Sequence, residues 1–357
     1  MTMQRQALIW IAGLVVFIVL VWLLSGVLLP FVAGLAAAYL LDPAADKLEK
    51  WGLSRLAATS VITVLFILLF FASLIVLLPV VYEQTVALLE AAPHLAEQAK
   101  TLFMSLSEGK LAQLLAGDGE DVQATISSAA NGVLDMLIGA LAGLVQQGVA
   151  IIGLLSLLFV TPIVAFYMLL EWDNMVARID GLLPRDHTAT IRTIAREIDE
   201  VLAGFVRGQG AVCLILGSFY AIGLSLLGLQ FGFLVGVIAG IISFIPYVGS
   251  IVGFVLAMII AVSQFWPEYG WIIAVAGVFG LGQFIEGNFL TPKLVGDRVR
   301  LHPLWVMLAL FAFGYLFGFV GMLLAVPVAA AMGVLVRFAA ARYLVSALYQ
   351  GNGGDDR

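Results

Sequence analysis

Cysteine is almost missing from this chain: 357 residues contain one, Cys213, set inside an apolar run. A single thiol excludes any disulfide within the chain. Charge is scarce as well, 11% of residues against about 25% in an ordinary soluble domain. Histidine is limited to His94, His187 and His302, all isolated, so the His-Glu-x-x-His pair of an intramembrane metalloprotease is absent. There is no Gly-x-x-x-x-Gly-Lys-Ser/Thr loop to cradle the phosphates of an ATP-driven pump. The Gly-x-Ser-x-Gly elbow of a serine hydrolase is also lacking. Without a basic face the chain offers nothing to nucleic acid, and neither a catalytic residue nor a metal or cofactor set is expected.

What fills the space is apolar. Hydrophobic residues make up 62% of the chain and mean hydropathy is +1.10, where soluble domains hold about 45–50% apolar residues. Runs at 8–24 and 56–80 reach the roughly 20 residues that cross a hydrocarbon core. The expectation is an all-α polytopic membrane protein. The N-terminal run reads as a span and not as a cleaved leader, being too long and followed by no small-residue cleavage site before Pro30.

Spans are expected near 8–24, 27–41, 56–80, 149–170, 210–228 and 271–285, with Asp42 and Pro43 as a stop after the second. If the N-terminus is cytoplasmic, the inside segments carry fifteen of the seventeen Lys and Arg, while 81–148 keeps Lys100 and Lys110 against eight acids. Basic residues stay on the cytoplasmic side, and short loops count most, so both termini are assigned to the cytoplasm. Segment 81–148 reads as an extracytoplasmic helical hairpin around GDGED (117–121), with Leu134, Leu137, Leu141, Leu144 and Val145 at helical spacing. Inside, Ile191, Ile194, Ile198, Val201, Leu202 and Phe205 make one stripe of an amphipathic helix.

Two segments are too long for one crossing and too short for two. As one helix the 33 residues of 231–263 would measure about 50 Å, against about 30 Å of hydrocarbon. Its centre, IPYVGS (245–250), holds Pro246 and Gly249, which suit a turn. Segment 304–336 follows the same plan, with Gly314, Gly318 and Gly321 at its centre. Two re-entrant hairpins entering from opposite faces keep every flanking cation on one side. That is the inverted-repeat plan of many secondary transporters. Bent pairs of short spans are the alternative.

The chain resembles the autoinducer-2 exporter family of permease-like bacterial inner-membrane proteins. The resemblance rests on IPYVGSIVG (245–253), QFIEGNFLTPKLVGDRVRLHPLWVM (283–307) and GFVGMLLAVPVAA (318–330), and its layout covers essentially the whole chain. It implies a secondary transporter for a small polar solute such as autoinducer-2, with a proton or sodium ion as coupling partner. It also implies a homo-oligomer in lipid, a pentamer being one candidate. A sodium/proton antiporter, a channel and a non-transporting scaffold stay open.

The polar cluster at 283–293 has two readings. In one, Gln283, Glu286, Asn288 and Pro292 line a solute or ion path, since an ionisable group near membrane depth is costly and faces protein or water. In the other, Glu286 is an interfacial residue paired with Lys293, Arg298 or Arg300. Pro246, Tyr247, Gly249 and Ser250 at the first tip and Gly314, Gly318 and Gly321 at the second complete the expected path. His302, just before Pro303, is included in that path, although a histidine so placed is more often a turn or interface residue than a proton carrier. The organisation expected is a frame (1–80), an outer loop (81–148), a fourth span with the inner helix (149–209), a transport core (210–336) and a tail (337–357). Alternating access would act around a cavity bounded by the two tips.

Overall fold

The computed structural model describes residues 27–107, 149–296 and 301–350, with isolated positions between 12 and 24. The first expected span is described only at those positions, and the 117–121 turn with the second outer helix lies outside the described residues. Every regular element among the described residues is helical: α1 (Leu29–Lys50), α2 (Arg55–Ser107), α3 (Val149–Gly181), α4 (Thr188–Leu226), α5 (Gly232–Ile242), α6 (Val248–Phe265), α7 (Tyr269–Ile285), α8 (Pro303–Leu344) and α9 (Ala347–Gln350). Six of these helices are long and apolar enough to cross a membrane. Leu214, Leu226 and Ile273 stay between 69% and 81% exposed, a surface that suits lipid and not water.

Several boundaries differ from the sequence expectation. Helix α1 does not stop at Pro43 but runs to Lys50. Proline cannot donate to the carbonyl four residues back, and here the Arg207 Nε donates to the Tyr39 carbonyl at 2.8 Å instead. The third span continues through 82–106 as one helix, α2. The inner amphipathic helix and the fifth span are likewise one helix, the 39-residue α4. Its first half alternates charge with apolar residues and its second half is uniformly apolar, so composition changes where the backbone does not.

The chain divides into two compact units, the first Met1–Ile67, Ser156–Gly210 and Leu290–Arg357, the second Leu68–Leu155 and Ala211–Phe289. In the first unit Ala38, Ala45, Ile62 and Leu169 form a small core. Gly34 lets α1 meet α3 so closely that a Cβ would sit 2.6 Å from Val164. Arg55 fastens the corner, donating to Asp46 at 2.9 Å, Glu49 at 3.0 Å, Asp42 at 3.1 Å and the Leu169 carbonyl at 3.0 Å.

Helix α8 is not straight. At Gly318 the backbone leaves helical geometry (φ 62°, ψ −142°). A Cβ on Gly321 would meet the Phe313 carbonyl oxygen at 2.0 Å and one on Gly314 the Met322 side chain at 2.9 Å. In an unbroken helix residues eight apart lie about 12 Å apart. The chain therefore turns back on itself at Gly318.

In the second unit, α4 and α5 run antiparallel on small residues, Gly217 against Gly240, Ala221 against Gly236 and Leu224 against Gly232. Small residues allow this approach within a membrane. The start of α5 is capped from afar: the Gln84 side-chain oxygen accepts from the Leu234 amide at 3.0 Å. The first hairpin breaks over 243–247, with Tyr247 at φ 68°. Gly249 already belongs to α6, where it lies so close to Ser243 that a Cβ would stand 2.2 Å from its amide nitrogen. The arms are unequal, 11 residues in α5 and 18 in α6.

Candidate functional site

Helix α7 carries Phe279, Gly282, Gln283 and Glu286 at i, i+3, i+4 and i+7, one face of a helix. The Gln283 amide donates to the Glu286 carboxylate at 2.7 Å. Glu286 is partly buried and Gln283 exposed. The partner found for Glu286 is therefore an amide one turn away, while Arg298 and Arg300 lie outside the described residues. Asn288 spends its amide on the Phe284 carbonyl, 2.9 Å away, and stays exposed.

The cluster is helical and not a loop. Residues Glu286–Gly296 form a π-helical continuation of α7 that contains Pro292. Wider turns of this kind are frequent at functional sites. They also accommodate a residue without an amide hydrogen. Farther along, in the first unit, α4 passes so close that a Cβ on Gly208 would stand 2.1 Å from the Leu294 carbonyl oxygen.

Packing register brings the first hairpin tip to this cluster. Helices α6 and α7 are antiparallel neighbours, with Gly253 set against the Phe279 ring. Counting back from that pair, Ser250 lies level with Gly282, and 246–247 lies level with Ile285 and Glu286. On the other side α4 keeps an antiparallel register, with Gly223 facing Val278 and Tyr220 facing Gly282, which puts Leu216 level with Glu286 and Cys213 about one turn beyond. Pro246, Tyr247, Gly249, Ser250, Gln283 and Glu286 thus gather at one end of the second unit. The hydroxyl hydrogens there are already used, Ser243 donating to the Ala239 carbonyl at 2.7 Å and Ser250 to the Tyr247 carbonyl at 3.3 Å.

Tyr220 is the residue that sequence reading missed. It is fully buried, stacks on Phe279 at 4.6 Å, and its hydroxyl makes no hydrogen bond among the described residues. Gly282 makes room for it, since a Cβ there would stand 2.3 Å from the ring. The one available signal was a tyrosine within an apolar run, spaced seven residues from Cys213 on the same face.

His302, Gly314, Gly318 and Gly321 belong to the first unit. His302 is exposed and caps α8, its Nδ1 accepting from the Leu304 amide at 3.3 Å. That geometry is the turn reading of this histidine.

Comparison with known proteins agrees with these features. The family model described as AI-2E family transporter matches residues 11–341. The putative transport protein YrrI of Bacillus subtilis is 31% identical over 317 residues, spanning 88% of this chain and 87% of that protein. The putative permease PerM of Escherichia coli K12 is 25% identical over 320 residues, 87% and 86% of the two chains. The AI-2 transport protein TqsA of the same strain is 24% identical over 303 residues, 84% and 83% of the two.

Proposed function

The chain belongs to the AI-2E transporter family, as a multi-pass membrane protein, and we propose that it is a secondary carrier exporting a small polar solute, autoinducer-2 being the class that the TqsA likeness suggests. This reading rests on packing register, which sets the broken, tightly packed hairpin level with the Gln283–Glu286 pair in the second unit. A carboxylate in an apolar helix is costly unless it faces protein partners or a water-filled path. A helix break at the same level supplies backbone carbonyls and a segment able to move.

In this reading Glu286 holds the coupling proton or sodium ion, and Gln283 fixes its orientation. The α5–α6 hairpin dips into the membrane without crossing it and opens the site to one side at a time. Solute contacts come from the Ser250 hydroxyl and from backbone carbonyls of the hairpin break. The bias of Lys and Arg supports cytoplasmic termini, and the proposal includes a bacterial inner membrane and a homo-oligomeric assembly.

Flux through proteoliposomes of the purified chain tests the proposal. A carrier gives saturable uptake driven by an imposed proton or sodium gradient. Unsaturable conductance in single-channel recordings would make it a channel, and no flux of any solute would leave a scaffold.

A further inference from the structure

The first unit contains a second polar site, which the transport reading leaves unused. Helices α1, α3, α4 and α8 enclose a cavity of about 780 Å³, well within the range of small-molecule sites. Two aromatic rings, Tyr39 and Trp172, line it and meet edge-on at 6.0 Å. Five carboxylates line it against two guanidinium groups.

Both of its guanidinium groups are already paired. Arg207 donates to the Tyr39 carbonyl and lies 3.5 Å from Asp42. Arg337 pairs with Glu197 at 3.2 Å, and the neighbouring Arg55 holds Asp42 and Asp46. The Tyr39 hydroxyl is spent on Asp199 Oδ1 at 2.8 Å. The remaining carboxylates keep acceptor capacity. Glu200 makes no ion pair or hydrogen bond among the described residues, and Asp199 accepts on one oxygen only.

We propose that this cavity binds an organic cation rich in N–H donors, of the diamine or polyamine class. One ammonium group sits on Glu200 and the free oxygen of Asp199, and the methylene stem runs along Trp172 and Tyr39. Charge-assisted hydrogen bonds to carboxylates are the strong kind, and an ammonium beside an aromatic face gains further. An anion would meet five carboxylates against two guanidinium groups that are already ion-paired. A metal ion would find no cluster, for no group of three or more His, Cys, Asp or Glu suited to a metal exists among the described residues.

Calorimetry with spermidine on the full chain in a neutral detergent tests this. Saturable binding of one spermidine per chain is expected, little affected by magnesium at equal charge concentration. Glu200→Gln, at an exposed carboxylate that bonds to nothing else, should weaken binding about tenfold with the thermal midpoint unchanged. Trp172→Leu should weaken it severalfold. Heats that never saturate, displacement by magnesium alone, or wild-type affinity in both variants would each overturn the proposal. It stands apart from Glu286, so spermidine binding should survive Glu286→Gln.

Discussion

The two chain reversals, one in each unit, are built from different chemistry. The 243–247 break spreads over five residues and uses Pro246, with Tyr247 forced to φ 68°. The α8 reversal is concentrated in Gly318 at φ 62° and ψ −142°, a region open essentially to glycine alone. A tyrosine held at positive φ stores strain that glycine would not. The first break therefore keeps a strained residue where an unstrained one was available, and it is the one level with Glu286. Strain of this sort collects at working sites, whereas the glycine reversal looks structural.

Both reversals rest on glycine contacts that leave no room for a side chain, and the largest effects should come from filling them. Gly249→Leu and Gly321→Leu would drive atoms into the Ser243 and Phe313 backbones. Overpacking typically costs about 1–3 kcal/mol and occasionally more, and here the obstacle is main chain. Both variants should lose most folded protein, measured as the monodisperse fraction in detergent; equal recovery of either would show that its hairpin is looser than described.

Gly318→Ala is the intermediate case. Open space surrounds the new methyl, so only the backbone conformation opposes it, at about 1–3 kcal/mol. A lowered thermal midpoint with the protein still folded is expected, and an unchanged midpoint would remove the contrast between the two breaks.

The smallest effect has the opposite sign. Tyr247→Gly relieves the positive φ, gaining up to about 1 kcal/mol less the extra freedom of glycine in the unfolded chain. The midpoint should hold or rise slightly while flux falls. A variant both destabilised and fully active would mean that Tyr247 is a packing residue and not a strained part of the gate.

Much of this was legible in the sequence. The apolar runs at 56–80, 149–170, 210–228 and 271–285 fall largely within helices long and apolar enough to cross a membrane, and Pro246 with the 314–321 glycines marked where the backbone turns, because few other residues permit it. The clustering of Gln283 and Glu286 followed from helical spacing. Other features depended on distant partners. Pro43 looked like a stop because the Arg207 side chain that satisfies the freed Tyr39 carbonyl lies far along the chain. The continuity of α4 was hidden by its change of composition. The π-helical turn after Ile285 and the burial of Tyr220 against Gly282 depend on how helices pack, which no local pattern encodes. The cavity beside Trp172 joins four helices and had no sequence signature.

The central claim is that Glu286 carries the coupling ion, and gradient-driven flux of Glu286→Gln in proteoliposomes tests it most directly. The account predicts an assembled protein whose downhill solute exchange persists while proton- or sodium-driven accumulation is lost. Accumulation at the wild-type rate under the same gradient would contradict it and return Glu286 to a structural partner of Gln283.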